Sequence, residues 1–210
     1  MGDIQIKSEL IEQLIKISKE AGKAILKIYN TNFDYQIKKD LSPLTKADTS
    51  SHNIICERLK LLTPDIPILS EEDSDIPFNI RSSWKEYWLI DPLDGTKEFI
   101  KHNGEFTVNI ALIKNNRPIF GMIYVPVKDQ IYWGLENHGS YLIDEESTQI
   151  KLRVSKNEDL PIRIACSRSH PSKQLTTFLN NIKNYELITV GSSLKFCLIA
   201  KGEADLYPRF

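Results

Sequence analysis

Asp91 and Asp94 stand three residues apart in the run Asp91-Pro92-Leu93-Asp94-Gly95-Thr96. Pro92 denies this segment a regular helix or ladder, and Gly95 permits a tight turn with close backbone approach. Such a turn aims both carboxylates and an intervening carbonyl at one point. Hard divalent cations demand that arrangement, several oxygens in a fixed cage. Glu71 ends another apolar stretch, and open α/β sheets gather their sites at strand C-termini. Asp48, at a helix start, is a further candidate oxygen ligand. The plainer reading stands beside this one. Asp-Pro and Asp-Gly are ordinary turn dipeptides, and the acids can be surface turn residues. Glu72, Asp73 and Asp75 read as a solvated acidic rim.

A second feature is cationic. Lys195 follows Gly191-Ser192-Ser193 at a helix start. Backbone N–H groups, the helix dipole and a cation together suit an anion such as a phosphate. Gly191 and Ser192 also suit simple capping, and the two roles are compatible. Arg168 and His170 are candidates to face a ligand, although a lone His is more often structural. Lys38, Lys39 and Lys46 read as a solvated face. Cys166 and Ser167 have no evident partner base and read as a strand end and a loop.

The elements that must position these groups follow from periodicity. Residues 7–30 carry apolar side chains at helical spacing, from Leu10 to Leu26. Ser42-Pro43 marks a turn. A second helix is expected from near Thr45 to about Leu62, with Asp48 in its first turns, where a carboxylate suits the dipole. Ile66 to Leu69 reads as a strand running into Glu71, and Glu86 to Ile90 as one ending at Asp91. Phe106–Ile113 and Ile119–Val125 read as strands, and Tyr132–Leu142 adds at least one more. Beyond about Leu152 the pattern turns to βαβα. Strands are expected at Ile162–Cys166, Leu187–Val190 and Ala204–Tyr207, with helices over 171–183 and Ser192–Ala200. The architecture is a two-lobed α/β protein, residues 1–150 carrying the acids and residues 151–210 a partial second lobe for substrate recognition.

Bulk composition narrows the function classes. The 210 residues are 41% hydrophobic, enough for a sizeable core. The formal net charge of -1 leaves no global positive field for nucleic acid. No stretch is long and apolar enough for a transmembrane span. Met1-Gly2 is not a myristoylation signal, because Ile6 stands where Ser or Thr is needed. Cys56, Cys166 and Cys197 are odd in number and sit in apolar runs, as buried thiols of a reducing cytoplasm do.

The segment Trp88-Leu89-Ile90-Asp91-Pro92-Leu93-Asp94-Gly95-Thr96-Lys97-Glu98-Phe99-Ile100 resembles the signature of the inositol monophosphatase superfamily. Its Thr-Lys-Glu-Phe ending is similar to the 3'(2'),5'-bisphosphate nucleotidase branch of bacteria. Ser42-Pro43-Leu44-Thr45-Lys46-Ala47-Asp48, Leu69-Ser70-Glu71-Glu72-Asp73 and Asn103-Gly104-Glu105-Phe106-Thr107-Val108-Asn109 agree in order. So do Ser167-Arg168-Ser169-His170, Gly191-Ser192-Ser193-Leu194-Lys195-Phe196 and Ala204-Asp205-Leu206-Tyr207-Pro208-Arg209-Phe210.

That resemblance implies a layered α-β-α-β sandwich of the inositol monophosphatase and fructose-1,6-bisphosphatase type, C-terminally incomplete. It implies two or three Mg2+ ions, with Glu71, Asp91, the Leu93 carbonyl and Asp94 as ligands and Asp48 holding a further, weaker ion. Thr96 is placed beside the attacking water, with Glu71 and Asp48 as its helpers. Glu71, Leu93, Asp94, Gly95 and Thr96 face the reacting phosphate, and Ser192 and Lys195 the rest of the substrate. The implied reaction is hydrolysis of the 3'-phosphate of adenosine 3',5'-bisphosphate to AMP, and of the sulfated analogue, in sulfate assimilation. The implied place is the cytoplasm, with peripheral contact to the inner membrane as a variant. Cations serve such a reaction by lowering the pKa of a water and stabilising the leaving alkoxide. In the family a Trp-Asp motif beyond the Tyr-Pro-Arg-Phe segment supplies a ligand to the second cation. The chain ends at Phe210, so the second cation is expected to bind poorly and turnover to suffer. The alternatives are an inositol or sugar phosphatase using the same cage, or a relic that binds metal or nucleotide without turnover.

Overall fold

The computed structural model describes residues 8–37, 43–73, 75–156, 161–168 and 173–209. Lys38, Lys39, Ser42 and His170, weighed above, lie outside the described residues. The chain opens with α1 (Ser8–Tyr29), whose Ile11, Leu14, Ile17, Ala21 and Ile25 form one buried stripe. That stripe is the 3.6-residue period made visible. Two short strands, β1 (Tyr35–Ile37) and β2 (Pro43–Thr45), pair antiparallel. Three residues each are too few for periodicity to announce them, and Pro43 opens a strand where a turn was expected. Next comes α2 (Lys46–Leu62), started by a capping box in which Thr45 and Asp48 satisfy each other's backbone N–H groups.

The strands β3 (Ile68–Ser70) and β4 (Glu86–Asp94) flank a single turn, α3 (Phe78–Arg81); α4 (Thr96–Ile100) follows β4 directly. Then come β5 (Thr107–Lys114), β6 (Arg117–Val125), β7 (Gln130–Leu135), β8 (Gly139–Ile143) and β9 (Gln149–Lys151). After β9 come β10 (Ile162–Ser167), α5 (Lys173–Leu179), β11 (Tyr185–Val190) and α6 (Leu194–Lys201). Strands β3 to β9 make one seven-stranded sheet in sequence order. β3 and β4 run parallel, and the rest of that sheet is antiparallel. β10 and β11 form a separate parallel pair.

Alternation along β4 sends Trp88 and Ile90 into the core under α1 and α2, and Leu89 to the opposite face. On that opposite face α6 docks, with Leu194 and Cys197 packed on Val125, Tyr132 and Leu142. Beside α6 the sheet carries an apolar hollow of about 790 Å³, lined by Leu89, Ala111, Ile123, Trp133 and Phe196.

Two expected elements differ. Residues 204–207 make an isolated parallel bridge, Ile164 to Leu206, instead of a third strand. Asp205 binds Arg163 and Pro208 has no N–H to donate, so a ladder cannot extend. The helix expected over 171–183 is described only from Lys173 to Leu179.

Gly22 lies on the buried stripe of α1, where a Cβ would stand 2.2 Å from Cε1 of Tyr124. Tyr124 is buried, and its hydroxyl donates to Asp129 over 2.9 Å, so the ring has nowhere to retreat. Gly→Ala in an open helix stabilises by about 0.5–1 kcal/mol. Here Gly22→Ala is expected to destabilise by about 1–3 kcal/mol through overpacking. Urea unfolding reads the sign, and a stabilised variant would refute the packing described.

Candidate active site

The acids sit where β4 stops being regular. Its pairing with β5 runs cleanly to Asp91 opposite Asn109, then jumps to Asp94 opposite Thr107. Three steps on β4 match two on β5, which is a β-bulge. Pro92 falls inside it, where a missing N–H does least harm. The strand therefore continues through both acids, past the expected end at Ile90, and the bulge turns their side chains. The hydroxyl of Ser51, fully buried on α2, donates to the Pro92 carbonyl over 2.7 Å. Gly95 then takes φ +94°, and a Cβ there would lie 2.9 Å from the Glu105 carbonyl oxygen. Only glycine permits that turn at that approach.

Crowded negative charge dominates the electrostatics. Burial pushes the Asp91 carboxyl up to about 8, and the neighbouring Asp94 and Glu71 push it further than the Leu93 N–H and the Asn109 amide pull it back. Burial also raises Asp94, against Lys195 and the Ser193 N–H, which favour its charged form. Asp48 is raised by burial despite its donors. Its Oδ2 accepts from the Thr45 N–H at 2.7 Å and the Thr45 hydroxyl at 2.6 Å. Its Oδ1 accepts from the Thr96 hydroxyl at 3.1 Å. Thr96 Oγ1 also lies 3.4 Å from the Leu93 carbonyl. With its one proton directed to such acceptors, Thr96 offers lone pairs to a water.

One oxygen marks this group as a candidate cation site. Asp91 Oδ1 is sealed from solvent and has no hydrogen-bond partner. A buried carboxylate oxygen in that position requires a proton or a cation. The donor set, all oxygen, suits a hard ion such as Mg2+. Among the described residues no three His, Cys, Asp or Glu side chains already converge closely enough to grip an ion. Asp94 and Glu71 both bear on the Asp91 carboxyl as like charges, and Glu71 stands exposed at the rim.

The loop after β11 faces these acids. Asp94, Gly95, Thr96, Ser192, Lys195 and Arg209 share a cavity of about 420 Å³. Lys195 is buried, its Nζ donating to the Ser192 carbonyl, with Asp94 and Glu98 as charge partners that oppose the lowering of its pKa by burial. Ser193 occupies the N-cap of α6 without a capping bond from its side chain. Its hydroxyl reaches Asn109 Oδ1 and Thr107 Oγ1 instead, each at 2.8 Å. Arg168, a candidate to face a ligand, is turned onto Glu105. Cys166 Sγ sits 3.3 Å from the Thr189 hydroxyl, which is not a base.

Several residues of this site escaped the sequence reading. Ser51, Thr107 and Asn109 tie the acids to their frame. His52 Nδ1 lies 2.8 Å from the hydroxyl of Ser70, the residue before Glu71. The available signal was polarity out of place: Thr107 and Asn109 alternate on one face of an otherwise apolar strand.

A bulged strand bearing paired acids, a threonine held by a third acid, and an oxygen-only donor set define a phosphatase fold of one kind. The model of the inositol monophosphatase family matches residues 6–210, and the chain belongs to that family. Its relatives include the 3'(2'),5'-bisphosphate nucleotidase CysQ of Salmonella typhimurium, 44% identical over 203 residues, 96% of this chain and 80% of the relative. The CysQ of Buchnera aphidicola is 43% identical over 96% of this chain and 76% of the relative. Among solved structures, CysQ from Bacteroides thetaiotaomicron superposes with a TM-score of 0.83 at 37% identity, covering 98% of this chain and 81% of that one. The layered α/β architecture expected from the sequence is that of these structures.

The raised carboxyls set a pH dependence. A native Asp91 near 8 holds its proton where the unfolded one, near 3.8, has lost it. The native state then binds more protons, so stability falls as pH rises from the ordinary carboxylate range toward 8. A cation bound at Asp91 would replace that proton and restore what was lost. The rise in Tm on adding Mg2+ should be larger at about pH 8 than at about pH 6. Calorimetric melts at both pH values test this, and equal gains would exclude Asp91 as the group whose proton the ion displaces.

Proposed function

We propose that this chain is a magnesium-dependent 3'(2'),5'-bisphosphate nucleotidase. It removes the 3'-phosphate of adenosine 3',5'-bisphosphate to leave AMP, acts on the sulfated analogue, and serves sulfate assimilation. The unpartnered, sealed oxygen of Asp91 beside Asp94 and Glu71 carries the reading. Relatives of that name at 44% identity support it.

In this reading Glu71, Asp91, the Leu93 carbonyl and Asp94 hold Mg2+, and Asp48 serves an outer one of two or three ions. Bound Mg2+ neutralises phosphate oxygens, acidifies water and stabilises the leaving alkoxide. The chain's own residues do the rest. Thr96 orients the attacking water, and its proton passes by way of the Thr96 hydroxyl to Asp48. Burial holds the Asp48 carboxyl above the usual range, which suits it to receive that proton. Glu71 is the second acceptor. Backbone N–H groups of Gly95 and Thr96 face the reacting phosphate, and Ser192 and Lys195 the other.

Division of labour follows the chain. Residues 1–150 form the lobe with the acids, and residues 151–210 the lobe that recognises substrate. Three free thiols, Cys56, Cys166 and Cys197, support a cytoplasmic place. Among the described residues no helix is long and apolar enough to cross a membrane, and none of those residues gives support for contact with the inner membrane. An inositol or sugar phosphatase would use the same acids. Lys195 and Arg209 beside Ser192 favour a substrate with a second phosphate.

Asp91→Asn or Asp94→Asn is expected to abolish Mg2+-dependent phosphate release from adenosine 3',5'-bisphosphate, because each removes charge from the ion. Substantial activity in either variant would dismiss the assignment. Lys195→Ala should weaken binding of the bisphosphorylated nucleotide by about ten- to a hundredfold, the worth of a charge-assisted contact. Titration calorimetry reads this. A parent protein that binds mono- and bisphosphorylated nucleotides equally would remove its basis.

A further inference from the structure

We infer that Glu105 and Arg168 are a positioning pair that seats the Gly191–Lys195 loop over the acids and so sets the preference for a doubly phosphorylated nucleotide. The selectivity half of this inference rests on the nucleotidase reading above.

Glu105 lies just before β5, on the lobe that carries the acids. Arg168 follows β10 and Gly191 follows β11, both on the other lobe. One carboxylate ties all three. Glu105 Oε2 accepts from Arg168 Nε at 2.7 Å and from the Gly191 N–H at 2.8 Å. Its Oε1 accepts from Arg168 Nη2 at 2.8 Å. This is the forked, two-bond geometry that makes arginine–carboxylate pairs specific in direction. Arg168 is itself stitched to β11, donating from Nη2 to the Thr189 carbonyl at 2.6 Å and from its N–H to the Val190 carbonyl at 3.2 Å. Burial pushes the Glu105 carboxyl up, but Arg168 and the Gly191 N–H together hold it below its ordinary value.

The loop so held has no slack. A Cβ on Gly191 would stand 2.5 Å from Glu98 Cγ and 3.0 Å from the Glu105 carbonyl oxygen. Glycine is what lets the backbone come this close to α4. The next residue, Ser192, takes φ +46°, a left-handed conformation that a non-glycine residue keeps only when its surroundings impose it. Beyond it the Ser193 hydroxyl is fixed on Thr107 and Asn109. Ser192 thus hangs between two anchors, Glu105 at Gly191 and the β5 side chains at Ser193. The Ser192 carbonyl in turn accepts from the Lys195 ammonium. Releasing the Gly191 anchor lets Ser192 relax, and Lys195 loses the carbonyl that aims it.

Neither member of the pair is among the groups that hold the ion or orient the water. Arg168 has both forks directed to Glu105 and Thr189, so its place is in the frame and not on the second phosphate. Loss of the pair should therefore act on discrimination between ligands and leave the chemical step largely alone.

The test uses the full chain in two arms. Hydrogen exchange of the Gly191–Lys195 amides, without nucleotide, reads the loop directly. It should quicken by about tenfold in Glu105→Ala and in Arg168→Ala, the worth of one lost hydrogen bond, and less in Glu105→Gln, which keeps an acceptor for Gly191. Unchanged exchange in both alanine variants would overturn the positioning role. Steady-state kinetics then compares adenosine 3',5'-bisphosphate with adenosine 3'-monophosphate. The ratio of their kcat/KM values should fall by about tenfold in both alanine variants, through KM, with partial rescue by Glu105→Gln. Equal loss on both nucleotides would overturn the selectivity claim. Loss of the ratio in Arg168→Ala alone would make Arg168 a phosphate ligand and overturn the pairing. A parent chain that releases phosphate from neither nucleotide would defeat the nucleotidase reading, while the exchange arm still decides whether the pair holds the loop.

Discussion

Asp91 and Asp94 are held close by a bulge at an electrostatic cost, since burial raises the pKa of both, Asp94 raises that of Asp91 further, and Glu71 adds to both. The surrounding structure consists of answers to that repulsion. Ser51 on α2 pins the Pro92 carbonyl, so the bulge cannot relax toward a straight strand. Asn109 supplies an amide to Asp91, and Ser193 an N–H to Asp94. Lys195 contributes the opposite charge from the other lobe. Helix α2 and the sheet each deliver one compensating group, and the start of α6 delivers two. The oxygen that none of them reaches, Asp91 Oδ1, is the opening for a cation.

How far the sequence discloses this depends on the range of the interaction concerned. Helical periodicity made α1 and α2 legible, because their buried stripes are local in sequence. Acid spacing made the site legible, since Pro92 and Gly95 force a local departure from regular strand. Asp48 was legible as a first-turn carboxylate, but its use was not. The capping box occupies Oδ2 while Oδ1 reaches Thr96, and only the fold brings residues 48 and 96 within a hydrogen bond. Ser51 acts across a long separation, and nothing in its immediate neighbours distinguishes it from any buried hydroxyl, whereas Thr107 and Asn109 show only as polar residues on one face of an apolar strand, without their partners. The weak elements were missed for another reason. β1 and β2 are shorter than the window in which alternation can be counted. The Ala204–Tyr207 stretch has strand-like composition, yet Pro208 and the Arg163–Asp205 pair hold it to one bridge.

Arg168 shows why residue type alone misleads about ligands. An arginine at the end of a strand, near serines and a glycine, has the composition of an anion site. Its guanidinium is nonetheless matched by a carboxylate from the facing lobe. That side chain is partly exposed, so the pair adds little to global stability. Its effect is directional: a fork fixes orientation as well as distance, and the orientation it fixes is that of a backbone loop.

Charge balance also orders events in the proposed reaction. Glu71, Asp91, Asp94 and Glu98 line the two hollows that meet at the acids, and Arg81, Lys97, Lys195 and Arg209 are the basic groups that line them. Arg168 is committed to Glu105, and Lys195 is shared between Asp94 and Glu98. Directly beside Asp91 and Asp94 an ionised pair would repel a phosphate dianion, at separations where unit charges interact by about 1–4 kcal/mol. Neutralisation of the acids must therefore come first, by cation or by proton. Protonation would silence the very carboxylates that the chemistry needs ionised. In the proposed reaction a cation bound first would meet that need, and the nucleotide's second phosphate would then find Lys195 drawn less strongly to Asp94.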